Sequence, residues 1–127
     1  MTEHVDRFSG ILSCLLILAG GFFGSALRYL ADELFTTLPG TLLVNFAGSA
    51  GMGMFMYASI YTGRFGRHSR LLIGTGFLGA FTTFSALAVI TLQQPPVFAA
   101  AYLLLNILLG LLGILAGRTA VVGWRHA

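Results

Sequence analysis

Residues 71–117, LLIGTGFLGAFTTFSALAVITLQQPPVFAAAYLLLNILLGLLGILAG, carry no charged side chain. A helix crosses a bilayer in roughly 20 mostly apolar residues, so this run is long enough for two crossings. Gln93-Gln94-Pro95-Pro96 divides it, because proline lacks the backbone donor and clashes with the preceding turn. The halves read as spans over about Leu71–Thr91 and Val97–Gly117. Working outward, Leu34–Gly63 and Phe8–Leu27 are equally free of charge and give spans over about Thr41–Tyr61 and Ile11–Leu30. Hydrocarbon offers backbone groups no hydrogen bonds, so a spanning segment is a helix or part of a closed barrel. No run alternates polar and apolar residues with period two, which leaves helices. The expectation is an all-α polytopic membrane protein, residues 1–127 forming one membrane domain of four spans.

Composition agrees. Hydrophobic residues are 57% of the 127, charged residues 9%, and the mean hydropathy is +0.89. Soluble domains carry roughly 25% charged residues. That excludes an ordinary soluble enzyme, a disordered tail and a disulfide-rich module. The net charge of +3 comes from arginine alone. Its arginines flank apolar runs instead of clustering, so nucleic-acid binding is excluded as well. Cys14 has no internal partner and reads as a small buried side chain. Glu3 and Asp6 beside Arg7, with no clear cleavage site, argue for a retained first span and against a signal peptide. Arg7, Arg64, Arg67, Arg70, Arg118 and Arg125 fall on one side of the membrane and only Arg28 on the other. The positive-inside rule puts both termini in the cytoplasm.

Glycines are concentrated in the spans. Gly20/Gly24, Ser49/Gly53 and Gly113/Gly117 each form a small-xxx-small pair, which lets helix backbones approach closely where lipid is as apolar as the helices. A four-helix unit this small is expected to hide its remaining polar groups in a dimer. Gly74-Thr75-Gly76-Phe77-Leu78-Gly79 matches G-x-G-x-x-G, but no acidic residue follows Glu33. A dinucleotide site needs such a residue and a preceding strand.

Polar side chains at membrane depth are costly and therefore candidates for function. Thr41 and Asn45 share a face at i, i+4. Thr82, Thr83 and Ser85 surround Phe84, Asn106 lies in the fourth span, and Arg28 ends the first. Interhelical hydrogen bonding is the plainer role for Asn45 and Asn106, and snorkelling for Arg28. No Asp, Glu or His falls inside the four spans as bounded here. His4, His68 and His126 make no ligand spacing, and Ser85 has no base, so metal and hydrolase chemistry lack support. What the spans hold is hydrogen-bond donors and electropositive Phe ring edges, which suit an anion better than a cation. Gly79 through Ser85 is rich in weak helix formers, yet composition alone favours a continuous third helix.

Gly20-Gly21-x-x-Gly24-x-x-x-Arg28, Gly40-Thr41-Leu42-x-Val44-Asn45 and Gly79-x-x-Thr82-Thr83-Phe84-Ser85 together resemble the CrcB/Fluc family of fluoride channels. The resemblance covers nearly the whole chain. It implies two four-helix subunits packed antiparallel in the cell membrane, with passive fluoride export through two pores. It implies a third helix broken over Gly79 through Thr82, whose Gly79 and Thr82 carbonyls hold a structural, non-transported Na⁺. Asn45 would be the pore asparagine and Phe84 the first of two pore phenylalanines, with Thr41, Thr83 and Ser85 beside them. Arg28 and Asn106 are read, from their own chemistry, as structural polar residues. Leu87 stands where the second phenylalanine is expected, and Ala86 and Ala88 stand where hydroxyls are frequent. One pore face is therefore apolar.

An antiparallel homodimer needs one sequence inserted both ways, and a six-to-one arginine bias opposes that. A related subunit of opposite orientation is the expected partner. Two rivals remain: a small proton-coupled multidrug-type exporter, which needs a membrane carboxylate, and a non-conducting partner or assembly subunit.

Overall fold

A computed structural model describes residues 2–35, 37–63 and 65–124, with side chains over residues 9–35, 38–61, 63 and 65–123. Among these residues there is no strand. Helix α1 covers Thr2–Leu34 and α2 covers Thr37–Thr62. Gly63 ends α2 with φ +62°, the left-handed conformation that glycine adopts without steric cost. Helix α3 opens with Arg67–Ser69, winds as a π-helix over Arg70–Leu78 and returns to α geometry over Gly79–Phe81. Helix α4 covers Ser85–Leu92 and α5 covers Pro96–Trp124. Pro96 suits the first position of α5, where no donor is needed.

Four stretches are long and apolar enough to cross a membrane: Ser9–Leu34, Leu38–Tyr61, Arg67–Leu92 and Pro96–Gly123. Each contains its expected span and is longer. Two expectations are corrected as a result. Asp32 and Glu33 fall in the last turn of the first spanning helix, and His68 in the first turn of the third, although all three remain exposed. Cys14 is exposed, not buried, because the face of α1 that carries it has no partner within the subunit.

The helices pair in parallel, α1 with α3 and α2 with α5, and these two interfaces are the most extensive. The glycine pairs explain why. A Cβ at Gly20 would strike the Leu72 carbonyl and one at Gly24 the Phe77 carbonyl. A Cβ at Gly53 would strike the Ile114 carbonyl, and one at Gly117 the Ala50 carbonyl. These neighbours are backbone, so they cannot rotate away. Gly76 of the rejected nucleotide motif serves the same purpose, since a Cβ there would lie 2.7 Å from the Ile17 carbonyl. The π-helical stretch is wider than an α-helix, and α1 accommodates it by presenting glycines.

This pairing gathers the start of α1, the end of α2, the start of α3 and the end of α5 at one end of the bundle. Arg67, Arg70 and Arg118 lie there, with the Arg118 guanidinium 5.1 Å from the centre of the Tyr57 ring. Arg28 lies toward the other end. The side chain of Arg7, and Arg64 and Arg125 altogether, lie outside the described residues.

Candidate ion-conducting site

The third span is broken, contrary to what composition favours. The helical ladder of α3 ends with Thr82 N–H donating to the Leu78 carbonyl at 3.1 Å. Thr82 then takes ψ 153°, an extended conformation, and α-helix resumes at Ser85. The interruption is thus Thr82–Phe84, one turn later than the resemblance implies, and Gly79–Phe81 is still helical.

Asn45 replaces what the backbone gives up. Its Oδ1 accepts from Thr83 N–H at 2.8 Å and its Nδ2 donates to the Thr83 carbonyl at 3.0 Å. A single carboxamide therefore serves both polar groups of the interrupted residue. Leaving them unpaired in hydrocarbon would cost several kcal/mol each. Because Thr83 N–H turns to Asn45, the Gly79 carbonyl loses the donor that a continuing helix would supply. On the other side of the break Thr83 Oγ1 accepts from Ala86 N–H at 3.1 Å, the geometry of a helix cap for α4, and lies 3.3 Å from Ser85 Oγ. Thr82 Oγ1 turns back and donates to the Leu78 carbonyl at 3.2 Å.

Asn45 reaches one step further. Its Nδ2 also donates to Asn106 Oδ1 at 3.0 Å, joining α2, the break and α5. Nearer the Arg28 end, the Tyr102 hydroxyl donates to the Leu38 carbonyl at 2.8 Å and is hydrogen bonded to the Thr41 side chain. Thr41 is almost wholly buried.

Two clefts flank this network. One, of about 280 Å³, is lined by Asn45, Thr82, Thr83, Phe84, Leu87 and Asn106 among others. The other, of about 530 Å³, is lined by Arg28, Asp32, Thr41, Thr83 and Ser85 among others. Thr83 belongs to both. Asn45, Thr83 and Phe84 thus come together in the first cleft, and Thr41, Thr83, Ser85 and Arg28 in the second. Phe84 is 75% exposed, so its ring is available at the cleft rather than packed in the core. Leu87 borders the first cleft but is buried with Ile90 and Tyr102. Gly79 stands apart from both clefts, on an outward face with Gly21, Phe22 and Ala80.

Sequence reading missed two features of this site. Asp32 joins Arg28 at the second cleft, one helical turn along α1; their i, i+4 spacing was the available signal. Asn106 is 6% exposed, and its Nδ2 has no acceptor among the described residues.

The model of the CrcB-like proteins (camphor resistance, CrcB) matches residues 15–118. The chain is 41% identical over 112 residues to the fluoride-specific ion channel FluC 1 of Methanospirillum hungatei, covering 88% of this chain and 80% of that one. It is 43% identical over 106 residues to FluC 2 of Methanosarcina acetivorans, covering 84% of each. FluC 1 of the same archaeon is 47% identical over 76 residues, covering 56% of this chain and 58% of its own.

Proposed function

The chain belongs to the CrcB-like family, and from that premise we propose that it is a fluoride channel of the cell membrane, passing fluoride passively out of the cytoplasm. The supporting observation is the pair of donor-bearing clefts that meet at Thr83 in the middle of a broken spanning helix. Broken helices are tolerated at membrane depth only around a buried site or a cavity. Fluoride is small and strongly hydrated, so a route through hydrocarbon must replace its water with donors and ring edges. Thr41, Thr83 and Ser85 supply hydroxyls, Phe84 an exposed ring, and Arg28 a cationic approach. Asn45 and Asn106 complete the lining. No catalytic group stands among them, and an enzymatic role is not part of this reading.

The active unit is an antiparallel dimer. Leu87 is aliphatic and lies buried against Ile90 and Tyr102, so it offers no ring edge to the ion, and the missing ring comes from a related subunit of opposite orientation. The six-to-one arginine bias fixes this chain with both termini in the cytoplasm, and two numbered channels in one archaeon fit a paired system. The Gly79 and Thr82 carbonyls would hold a structural Na⁺. Their chemistry suits it: backbone oxygens are hard ligands, the break deprives Gly79 of its helical donor, and Gly79 lies on an outward face that a second subunit can cover.

A proton-coupled exporter is the weaker reading, since exchange requires a carboxylate within the path and Asp32 lies exposed at its rim. Growth of a fluoride-sensitive host tests the proposal. Co-expression with an opposite-facing homologue should restore growth in fluoride, and Phe84→Ile should remove that protection. Full resistance from this chain alone would refute obligate pairing, and no resistance in any combination would refute the channel.

A further inference from the structure

The amide orientations at the break are fixed by the backbone. Thr83 N–H is a donor, so the Asn45 atom facing it at 2.8 Å must be Oδ1. Asn45 Nδ2 then faces two acceptors, the Thr83 carbonyl and Asn106 Oδ1, both at 3.0 Å. Both of its hydrogens are occupied. Asn106 must in turn present its oxygen to Asn45, because its nitrogen there would set donor against donor. Its Nδ2 therefore points away from Asn45, in a residue 94% buried by its 6% exposure, with no acceptor among the described residues. Buried donors almost always have partners, so an orphan marks a place where a ligand or water belongs. The surrounding cleft also contains the Phe84 ring and Thr82, and no acid lines it.

From this geometry we propose that the two asparagines divide one task. Asn45 is a positioning residue that holds the break closed and turns the neighbouring amide outward. Asn106 is the side chain that donates to the anion in the cleft beside Phe84. The division rests on the fluoride-channel reading above. It departs from the role that the resemblance gives Asn45, whose nitrogen has no hydrogen left to offer.

The chain contains two asparagines, Asn45 and Asn106, so labelling with ¹⁵N-asparagine yields two side-chain NH₂ signals. The full chain, with its partner subunit unlabelled if one is required, is placed in lipid nanodiscs and titrated with NaF and separately with NaCl. One signal should move saturably with fluoride and not with chloride, and Asn106→Asp, which keeps the oxygen facing Asn45, should delete that signal. Fluoride efflux through Asn106→Asp should fall about tenfold or more, the loss expected when a donor to a charged partner is removed. If Asn106→Asp does not fold, Asn106→Leu, which removes one hydrogen bond only, deletes the same signal. Movement confined to the Asn45 signal, or two unmoved signals in a preparation that still conducts fluoride, would overturn the proposal. A wild-type preparation that never conducts fluoride would instead remove the channel reading on which it rests.

Discussion

Replacing Asn45 by leucine keeps the branch at Cγ and the number of side-chain heavy atoms and removes all three hydrogen bonds that tie Asn45 to the break and to α5. Interhelical hydrogen bonds in membrane proteins average about 0.6 kcal/mol and reach ~1.7 kcal/mol. Three of them give a destabilisation of about 2–5 kcal/mol for Asn45→Leu. The upper part of that range is favoured, because the Thr83 N–H and carbonyl have no helical partner to return to unless the extended Thr82 refolds. Asn106→Leu removes one bond and also the orphan donor, so its cost should be about 1 kcal/mol or less. Equilibrium unfolding of purified protein, by titrating SDS into a mild detergent and following far-UV circular dichroism, measures both. The decisive quantity is the difference between the variants. If Asn45→Leu costs no more than Asn106→Leu, the break is not held by Asn45, and the account of the third span is wrong.

Gly117→Val should separate α5 from α2, because its Cβ would meet the Ala50 backbone; an overpacking loss of ~1–3 kcal/mol or more, read in the same assay, is expected. Gly123→Ala should be neutral or mildly stabilising, since nothing lies within 4 Å of the added atom. Phe84→Ile should leave unfolding within about 0.5 kcal/mol of wild type, as the ring is largely exposed, yet abolish fluoride flux in a vesicle assay. Fluoride efflux should vary by less than about twofold between pH 6.5 and 8.5, because neither cleft is lined by the histidine or cysteine that commonly titrates there. A steep dependence on the proton gradient would favour the coupled exporter.

Span count and the glycine faces that make contact were legible in the sequence, because both follow from local signals. Charge-free runs bounded by arginine set the spans, the double proline separates the last two, and four-residue glycine spacing marks the faces in contact. The break was not legible in this way. Local propensity between Gly79 and Ser85 is nearly balanced, and what decides it is an asparagine 38 residues earlier in the chain. Only resemblance indicated an interruption, and it placed it a turn too early, over residues that still complete the α3 ladder. The π-helical stretch of α3 escaped detection for a related reason. Its extra width is permitted by glycines on α1, a different helix. Cys14 was misjudged because an apolar neighbourhood in a membrane protein does not distinguish protein from lipid.

The most direct test is fluoride release from liposomes. Vesicles loaded with potassium fluoride, carrying the full chain together with an opposite-facing homologue, are treated with a potassium ionophore, and external fluoride is followed with an electrode. Rapid fluoride release, absent from protein-free vesicles and from those carrying Phe84→Ile, with no matching release from chloride-loaded vesicles, is the predicted result. Release no faster than from protein-free vesicles, or equal release of chloride, would contradict it.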